Sequence, residues 1–531
     1  MLTDSTYEEI LRENEGYKAK ITRLEVALKI ALDKIKWLEE QLILSRHRHF
    51  AKKSEAASTF QDEVEPEMGE DSEQTPEPLS LSDITVTYTR KKANKKKGRN
   101  IDTSTLPRYR ELHDLPEHHK NCSICGHALH KICEDITEQL EIIPRHVYVV
   151  EHVRPQYGCR HCETVIAAPK PLAPIPKSLA GASLLTDVIL SKYEYHLPLY
   201  RQSKLFKHFK IDLADNTLGH WVMQSGEALL PLDDVLCQVL QATSYLQVDE
   251  TPVKLLSPEK QAYMWCYLSP LPTQQLVRFR FDLTRSKEVP QQDLGGFKGI
   301  LQTDGYAGYQ ALREKAGITG CGCLAHSRRK FVEIIKVVGT QVKGKAHEAL
   351  EFITALYQIE GRAREEDFTF AARKNLRQKE AKPILEKFHT WLLQTQPRAL
   401  PQSALCKAID YTLNQWPYLQ AYADHGEVEI DTNWVENKIR PFALGRRNWL
   451  FLGHEGSAQI SALFYSLIQS ALLNQLNPRV YLHYLLTQVH ALRQKRIDPV
   501  LLLPHRIDKE KLDQFAQEYF NKIKHLFPAF T

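Results

Sequence analysis

The chain has 531 residues, 43% of them hydrophobic, with 70 Lys and Arg against 65 Asp and Glu for a net charge of +5. That length suits three or four domains at about 150 residues each, and so small a charge excess means that any polyanion-binding argument must rest on where the basic residues cluster. The ten cysteines, the lack of an opening charged-then-apolar segment and the absence of any run near the roughly 18 apolar residues of a membrane span exclude a disulfide-stapled secreted domain and an integral membrane protein, and predict a cytoplasmic one.

Apolar residues recur at Ile10, Tyr17, Ile21, Leu24, Leu28, Ala31, Ile35, Leu38 and Leu42, with Asn14 in the remaining slot. The spacings alternate four and three, which predicts a coiled coil with Asn14 at an a position, where pairing with its own copy favours a parallel dimer. The plainer alternative is a helix packed on its own chain. Residues 56–89 are rich in acid, Pro and Ser and read as a disordered linker. It gives way to "RKKANKKKGR" at 90–99, where seven of ten residues are basic, either a solvated tract or a source of salt-dependent affinity for phosphate.

Cys122 and Cys125, then Cys159 and Cys162, form two C-x2-C pairs, each at the spacing with which two thiolates hold one tetrahedral Zn2+. The 33 residues between the pairs exceed the usual interval, and the alternating "TEQLEIIPRHVYVVEHVRPQY" predicts a hairpin about Pro144 that fills the excess. Cys133, His127, His130 and His161 are bystanders, though one of them could replace a cysteine ligand. "YRQSKLFKHFKIDLADNTLGHWVMQ" predicts two helices about a turn near Ile211, with Leu205, Phe206 and Phe209 on one inner face and Leu218, Trp221 and Val222 on the other. That is compatible with a helix-turn-helix and equally with an ordinary helical hairpin.

From residue 244 the texture becomes β-rich. "YLQVDETPVKLL", "AYMWCYLSP" and "QLVRFRFDLTR" predict three antiparallel strands, and a helical or loop segment then leads to a fourth strand, "GILQTDGYAGY". Asp249 falls within the first strand and Asp304 at the end of the fourth. Two carboxylates on adjacent strands are what a two-metal phosphoryl-transfer site needs, with a third from a following helix. Glu250 points to the opposite face of a regular strand and is the weaker candidate. Cys321, Cys323 and His326 tempt a second zinc assignment, which three ligands on a supposed strand do not support.

"QVDETPVKLL", "LQTDGYAGYQAL", "CLAHSRRKF" and "NWVENKIRPFALGRRNWLFLG", in that order, resemble the insertion sequence 66 family of bacterial DDE transposases. So do the N-terminal zipper, the paired cysteines, "KYEYHLPLYRQ" and the C-terminal "SLIQSALLNQLNPRVYLHYLL". The resemblance implies an α/β, RNase H-like catalytic core with a helical insertion, whose catalytic and metal-binding carboxylates are Asp249, Asp304 and Glu436, 55 and 132 residues apart. Asp431, Glu427 or Glu429 would stand in should Glu436 prove dispensable. It implies cleavage at the terminal inverted repeats and strand transfer with Mg2+ or Mn2+, a structural Zn2+, and DNA contacts from Arg328, Arg329, Arg440, Arg446, Arg447 and Trp449. The expected partners are DNA, further copies of the chain in a homodimer or higher homo-oligomer, and helper proteins of the same element, in the bacterial cytoplasm with the nucleoid. The rival is a catalytically inactive zinc-dependent DNA-binding regulator.

The expected domains are a coiled coil at 1–55, a linker at 56–100, a zinc ribbon at 101–170, a helix-turn-helix-like segment at 171–243, a catalytic domain at 244–465 with its insertion at about 332–425, and a helical C-terminal domain at 466–531. In "DTNWVENKIRPFALGRRNWLFLG", Pro441 predicts a kink or an end to the helix carrying Glu436, so that Arg446, Arg447 and Trp449 lie beyond it. Glu436 and Arg440, four apart, could also form an ordinary helical ion pair.

Overall fold

A computed structural model describes Lys18, Lys20, Ile21, Leu24, His127 and residues 146–158, 165–338 and 344–524. The chain forms two compact units, Met1–His47 with Pro144–Gln517 and Arg48–Ile143 with Glu518–Thr531, and the elements below belong to the first. Most of the heptad segment, the linker, the basic run and Cys122, Cys125, Cys159 and Cys162 lie outside the described residues. Lys18, Lys20, Ile21 and Leu24 are helical. No described helix is long and apolar enough to cross a membrane.

Strand β1 (Gln156–Gly158) pairs antiparallel with β2 (Val165–Ala167), Gly158 opposite Val165. The hairpin thus brackets the stretch of sequence that carries the second cysteine pair. The strand expected just after Pro144 does not form, since residues 146–155 have no regular structure. Val149 and Val153 there are 87% and 80% exposed, and alternation alone makes no strand without a face to bury.

Four helices follow: α1 (Ala182–Tyr193), α2 (Leu199–His208), α3 (Asp215–Leu229) and α4 (Pro231–Gln241). The pair α2 and α3 flanks the expected turn. Phe206, Leu218, Trp221 and Val222 are buried as their spacing predicted, whereas Leu205 is 41% exposed. These helices share one hydrophobic core with the sheet that follows.

That sheet is mixed, within a fold that is mostly helical. Its strands are β3 (Tyr245–Ser257), β4 (Lys260–Ser269), β5 (Leu276–Asp282), β6 (Gly299–Gln302) and β7 (Ile318–Cys321), with α5 (Glu288–Asp293) between β5 and β6. The spatial order is β5-β4-β3-β6-β7. Strands β3, β4 and β5 run antiparallel, and β6 and β7 continue parallel to β3.

A helical layer then separates the sheet from the last carboxylate motif: α6 (Leu324–Val338), α7 (Lys345–Glu365), α8 (Phe370–Leu376), a π turn at Arg377–Ala381, α9 (Lys382–Thr395) and α10 (Ala404–Leu419). It builds a second core with Tyr245, Ile300 and Cys321 of the sheet. Its central strut is ionic. Arg377 and Glu360 are almost fully buried, bonded at 2.7–2.8 Å, and the same guanidinium holds the carbonyls of Tyr422, His425 and Val428. Arg373 bridges Glu360 at 2.6 Å to Glu429 at 2.9 Å. Replacing Arg377 with Met leaves Glu360 half-paired and takes a donor from three carbonyls, of which Tyr422 O keeps His425 N, and breaking a buried pair on one side costs about 3–5 kcal/mol. A urea titration of Arg377→Met should show that loss as a lower midpoint.

The strut holds the approach to α11 (Asn433–Trp449), which is followed by β8 (Leu452–His454), α12 (Glu455–Leu473) and α13 (Pro478–Arg493). Strand β8 pairs parallel with the far half of β3. Pro441 does not end α11, which continues for two more turns. The missing backbone donor is offset by packing, because Val435, Ile439, Phe442 and Ala443 are all buried. The boundary expected at 465/466 falls within α12, for a physical reason. Ser466 accepts from Phe279 N at 2.7 Å, Ser470 accepts from Val277 N at 2.8 Å, and Asn474 donates to Gln275 O at 2.7 Å. Spaced by four, they line one helix face and pair with the backbone of edge strand β5, closing an edge that would otherwise invite another strand.

Candidate active site

The register of β3 and β6 fixes two of the expected carboxylates. Gln247 lies opposite Gln302, so Asp249, within β3, and Asp304, just past β6, each two residues further on, lie at the same level. Asp304 lies just beyond the end of β6, and its Oδ1 accepts from Tyr306 N at 2.9 Å. Gly305 must be Gly because a Cβ would stand 2.8 Å from the Tyr411 ring of α10.

Glu436 comes from the first turn of α11, and three buried side chains tie it to the two aspartates. Gln247, Gln302 and Tyr245 are fully buried. Gln247 Nε2 donates to Gln302 Oε1 at 2.9 Å and to Asp431 O at 3.0 Å, while its Oε1 accepts from Val435 N at 3.1 Å. That last bond satisfies an amide of the first helical turn, which has no partner within its own helix. Gln302 Nε2 donates to Gly322 O and Glu429 O at 2.9 and 2.8 Å, and the Tyr245 hydroxyl donates to Gln302 Oε1 at 2.5 Å. One amide network therefore sets the residues immediately before all three carboxylates. Sequence reasoning missed it, although Q-x-D occurs in both aspartate motifs.

The electrostatics agree with this convergence. Asp249 is pushed well above the usual carboxylate range, first by burial and then by the charges of Glu250, Glu436 and Asp304. Glu250 is committed elsewhere, with Arg285 2.5 Å away and the Tyr309 hydroxyl donating to it. The Arg285 guanidinium in turn lies 4.0 Å from the centroid of the Tyr306 ring. The second acid of D-E-T-P and the Tyr of D-G-Y thus hold each other in place.

The alternatives to Glu436 are occupied. Asp431 accepts from the Tyr357 hydroxyl at 2.7 Å and from Asn433 N at 3.1 Å. Glu429 is bonded to Arg373 and Arg364, which hold its carboxyl below the usual range against the opposing effect of burial. Glu427 lies 4.0 Å from His425.

Around Glu436 stand His326 and Arg329, each 3.8 Å from one of its oxygens. They approach from α6 and not from the end of a strand, since β7 stops at Cys321. Arg328, next to Arg329 on the same helix, is exposed. Cys323, His326 and Glu436 are the group of potential metal ligands among the described residues whose ligand atoms all lie within 4.8 Å of one another. Cys323 is nonetheless a poor ligand. Its thiol is buried and pushed far up by that burial, and its sulfur accepts from Thr432 N at 3.3 Å. Cys321 lies outside the group, its thiol pushed up to about 12 mainly by burial.

The remaining DNA-contact candidates divide along α11. Arg440 and Arg447 are exposed. Arg446 reaches across to β3, bonding Thr251 Oγ1 at 3.3 Å and the Pro252 carbonyl. Trp449 is partly buried, with its ring edge-on to Phe442 at 5.5 Å, so its indole supports the core.

Residues 177–460 match the family model described as Transposase IS66 family, and residues 119–163, which hold both C-x2-C pairs, match the zinc-finger binding domain of transposase IS66. Three similar chains come from Sinorhizobium fredii (strain NBRC 101917 / NGR234). The uncharacterized protein y4jD is 34% identical over 72% of this chain and 77% of its own length. The uncharacterized protein y4hP is 32% identical over 69% and 70%, and the uncharacterized protein y4qI is 30% identical over 67% and 68%.

Proposed function

The chain belongs to the IS66 family of transposases, and from that premise we propose that it cleaves and joins DNA at the terminal inverted repeats of its own element through Asp249, Asp304 and Glu436. The observation that carries the proposal is that one buried amide network joins Gln247, Gln302 and Val435, one or two residues before these three acids, and that the charges of Glu436 and Asp304 act on Asp249. The sheet order supports an RNase H-like core, three antiparallel strands continued by two parallel ones with the acids at the β3–β6 junction.

The donor set fits a hard divalent cation. Asp249, Asp304 and Glu436 offer only oxygen, which suits Mg2+ or Mn2+, and Asp249 is raised first by burial and then by the charges of Glu250, Glu436 and Asp304, a repulsion that a cation would relieve. Such an ion, when bound, supplies Lewis-acid stabilisation of charge at the phosphoryl group and activates water. The chain itself holds the three carboxylates in position and sets Arg329 beside them, where a guanidinium can meet a phosphodiester oxygen. Arg440 and Arg447 extend positive charge along α11.

End recognition is assigned to the zinc-finger segment, with Cys122, Cys125, Cys159 and Cys162 holding Zn2+, and to α2 and α3. A dimer is supported by Ile21 and Leu24, two heptad positions that are helical and 55% and 62% exposed on the single chain. The decisive experiment incubates the full-length protein with a labelled duplex carrying the element's own end and MgCl2 or MnCl2. Metal-dependent nicking at the repeat boundary is the expected result. Binding without nicking in either metal would instead favour the inactive regulator.

A further inference from the structure

About 15 Å along α11 from Glu436, ten residues at about 1.5 Å each, lies a cleft of about 530 Å3 between the end of that helix and the β3–β4 hairpin. Its size falls within the roughly 300–1,000 Å3 of ligand-binding clefts. Exposed Pro252 and Leu450 contribute apolar surface, with Val253 buried beneath them, and Lys260, Arg446 and Arg447 contribute cationic groups. The acid in the lining, Glu259, is bonded to Lys254 at 2.6 Å, so the remaining three cations dominate the cleft. A groove that only tracked a phosphate backbone would need the charges and not the apolar surface. One that only bound an apolar ligand would not need three cations.

We infer that this cleft receives a nucleotide displaced from the DNA helix, its base against Pro252 and Leu450 and its phosphate facing Arg447 and Lys260. The assignment rests on the transposase reading, which places the cut phosphodiester at Asp249, Asp304 and Glu436. The spacing then sets the position. Along β3, Asp249 to Lys254 spans about 17 Å at about 3.3 Å per residue, in agreement with the helix. Duplex DNA advances about 3.4 Å per nucleotide of one strand, so the cleft lies at most four or five steps from the cut, and fewer where the strand is stretched. Apolar contact with a base face is indifferent to sequence, and together with the cationic contacts to phosphate it offsets part of the cost of unstacking.

The test uses the full-length protein and duplexes of the element's own end and flank, each with a single 2-aminopurine at one of the five positions on either side of the cut. This base brightens when it leaves the stack. One position two to five steps away is expected to brighten several-fold on binding, and Leu450→Asp should abolish the rise. In Lys260→Ala the rise should weaken and become more sensitive to salt. Nicking of the end DNA with no brightening at any position, or brightening unchanged in Leu450→Asp, overturns the cleft assignment alone. Absence of metal-dependent nicking by the unmodified protein overturns the transposase reading, and the cleft assignment with it. Should Leu450→Asp fail to fold, Pro252→Asp at the exposed opposite wall provides the same comparison.

Discussion

Asp249→Asn is expected to lower the rate of end nicking by at least about 10³-fold, a loss of transition-state stabilisation of about 4 kcal/mol, with affinity for the end duplex within about twofold of the original. The two effects separate because the residue lies at the junction of β3 and β6, whereas the parts assigned to end recognition lie elsewhere in the chain. Asp304→Asn and Glu436→Gln should behave alike, and the double variant should be no worse than either single one, as holds for groups that act as a unit. Stability supplies an independent readout. The Asp249 carboxyl is held well above its usual range by burial and by Glu250, Glu436 and Asp304, so in the folded chain it keeps a proton that the unfolded chain releases above about pH 3.9. The stability it confers therefore falls as pH rises from that value through the raised folded value, and stays reduced above it. Asn removes this penalty, and without metal the variant should melt at or above the temperature of the original at pH 7. Adding Mg2+ or Mn2+ should reverse the order, raising the melting temperature of the unmodified protein by linkage and leaving Asp249→Asn nearly unmoved. An active Asp249→Asn protein, or one with the same metal-induced shift, would remove Asp249 from the site.

Much of this arrangement was legible before any coordinates. The alternating runs from residue 244 placed Asp249 within a strand and Asp304 at the end of another, and the 132-residue gap to Glu436 forced the helical insertion that α7 to α10 supply. Local rules failed where tertiary packing overrode them. Pro441 signalled a kink or an end, but α11 buries four side chains around it and continues. The alternation after Pro144 signalled a strand, but residues 146–155 are irregular. Trp449, expected among the DNA contacts, is partly buried with its ring edge-on to Phe442. The Ser466, Ser470 and Asn474 spacing looked like any helical stretch, since nothing in a sequence says that an edge strand will lie against it.

The buried amide network was the least legible feature, and its removal should have the second largest effect. Gln247→Leu preserves side-chain volume and the strand but leaves Val435 N and Asp431 O without their partner, each buried orphan costing about 1–3 kcal/mol. Because Gln247 satisfies the first turn of α11, the loss falls on the element that carries Glu436. A displacement near 1 Å at a reacting centre is enough to lower a rate by about 10²-fold, and nicking by Gln247→Leu should fall by about that factor. Gln247→Glu keeps an acceptor for Val435 N but sets a buried carboxyl against the Asp431 and Gln302 oxygens, so it should be less stable than the Leu variant. Each variant is compared with a control destabilised away from the carboxylates, Ser470→Ala, which leaves Val277 N of β5 without its partner and whose folded fraction should nick at close to the original rate. The two effects have different signatures: lowering the temperature should restore nicking in Ser470→Ala by restoring folded protein, whereas Gln247→Leu should remain slow when fully folded. Full activity in folded Gln247→Leu would mean that the carboxylates find their places without the network.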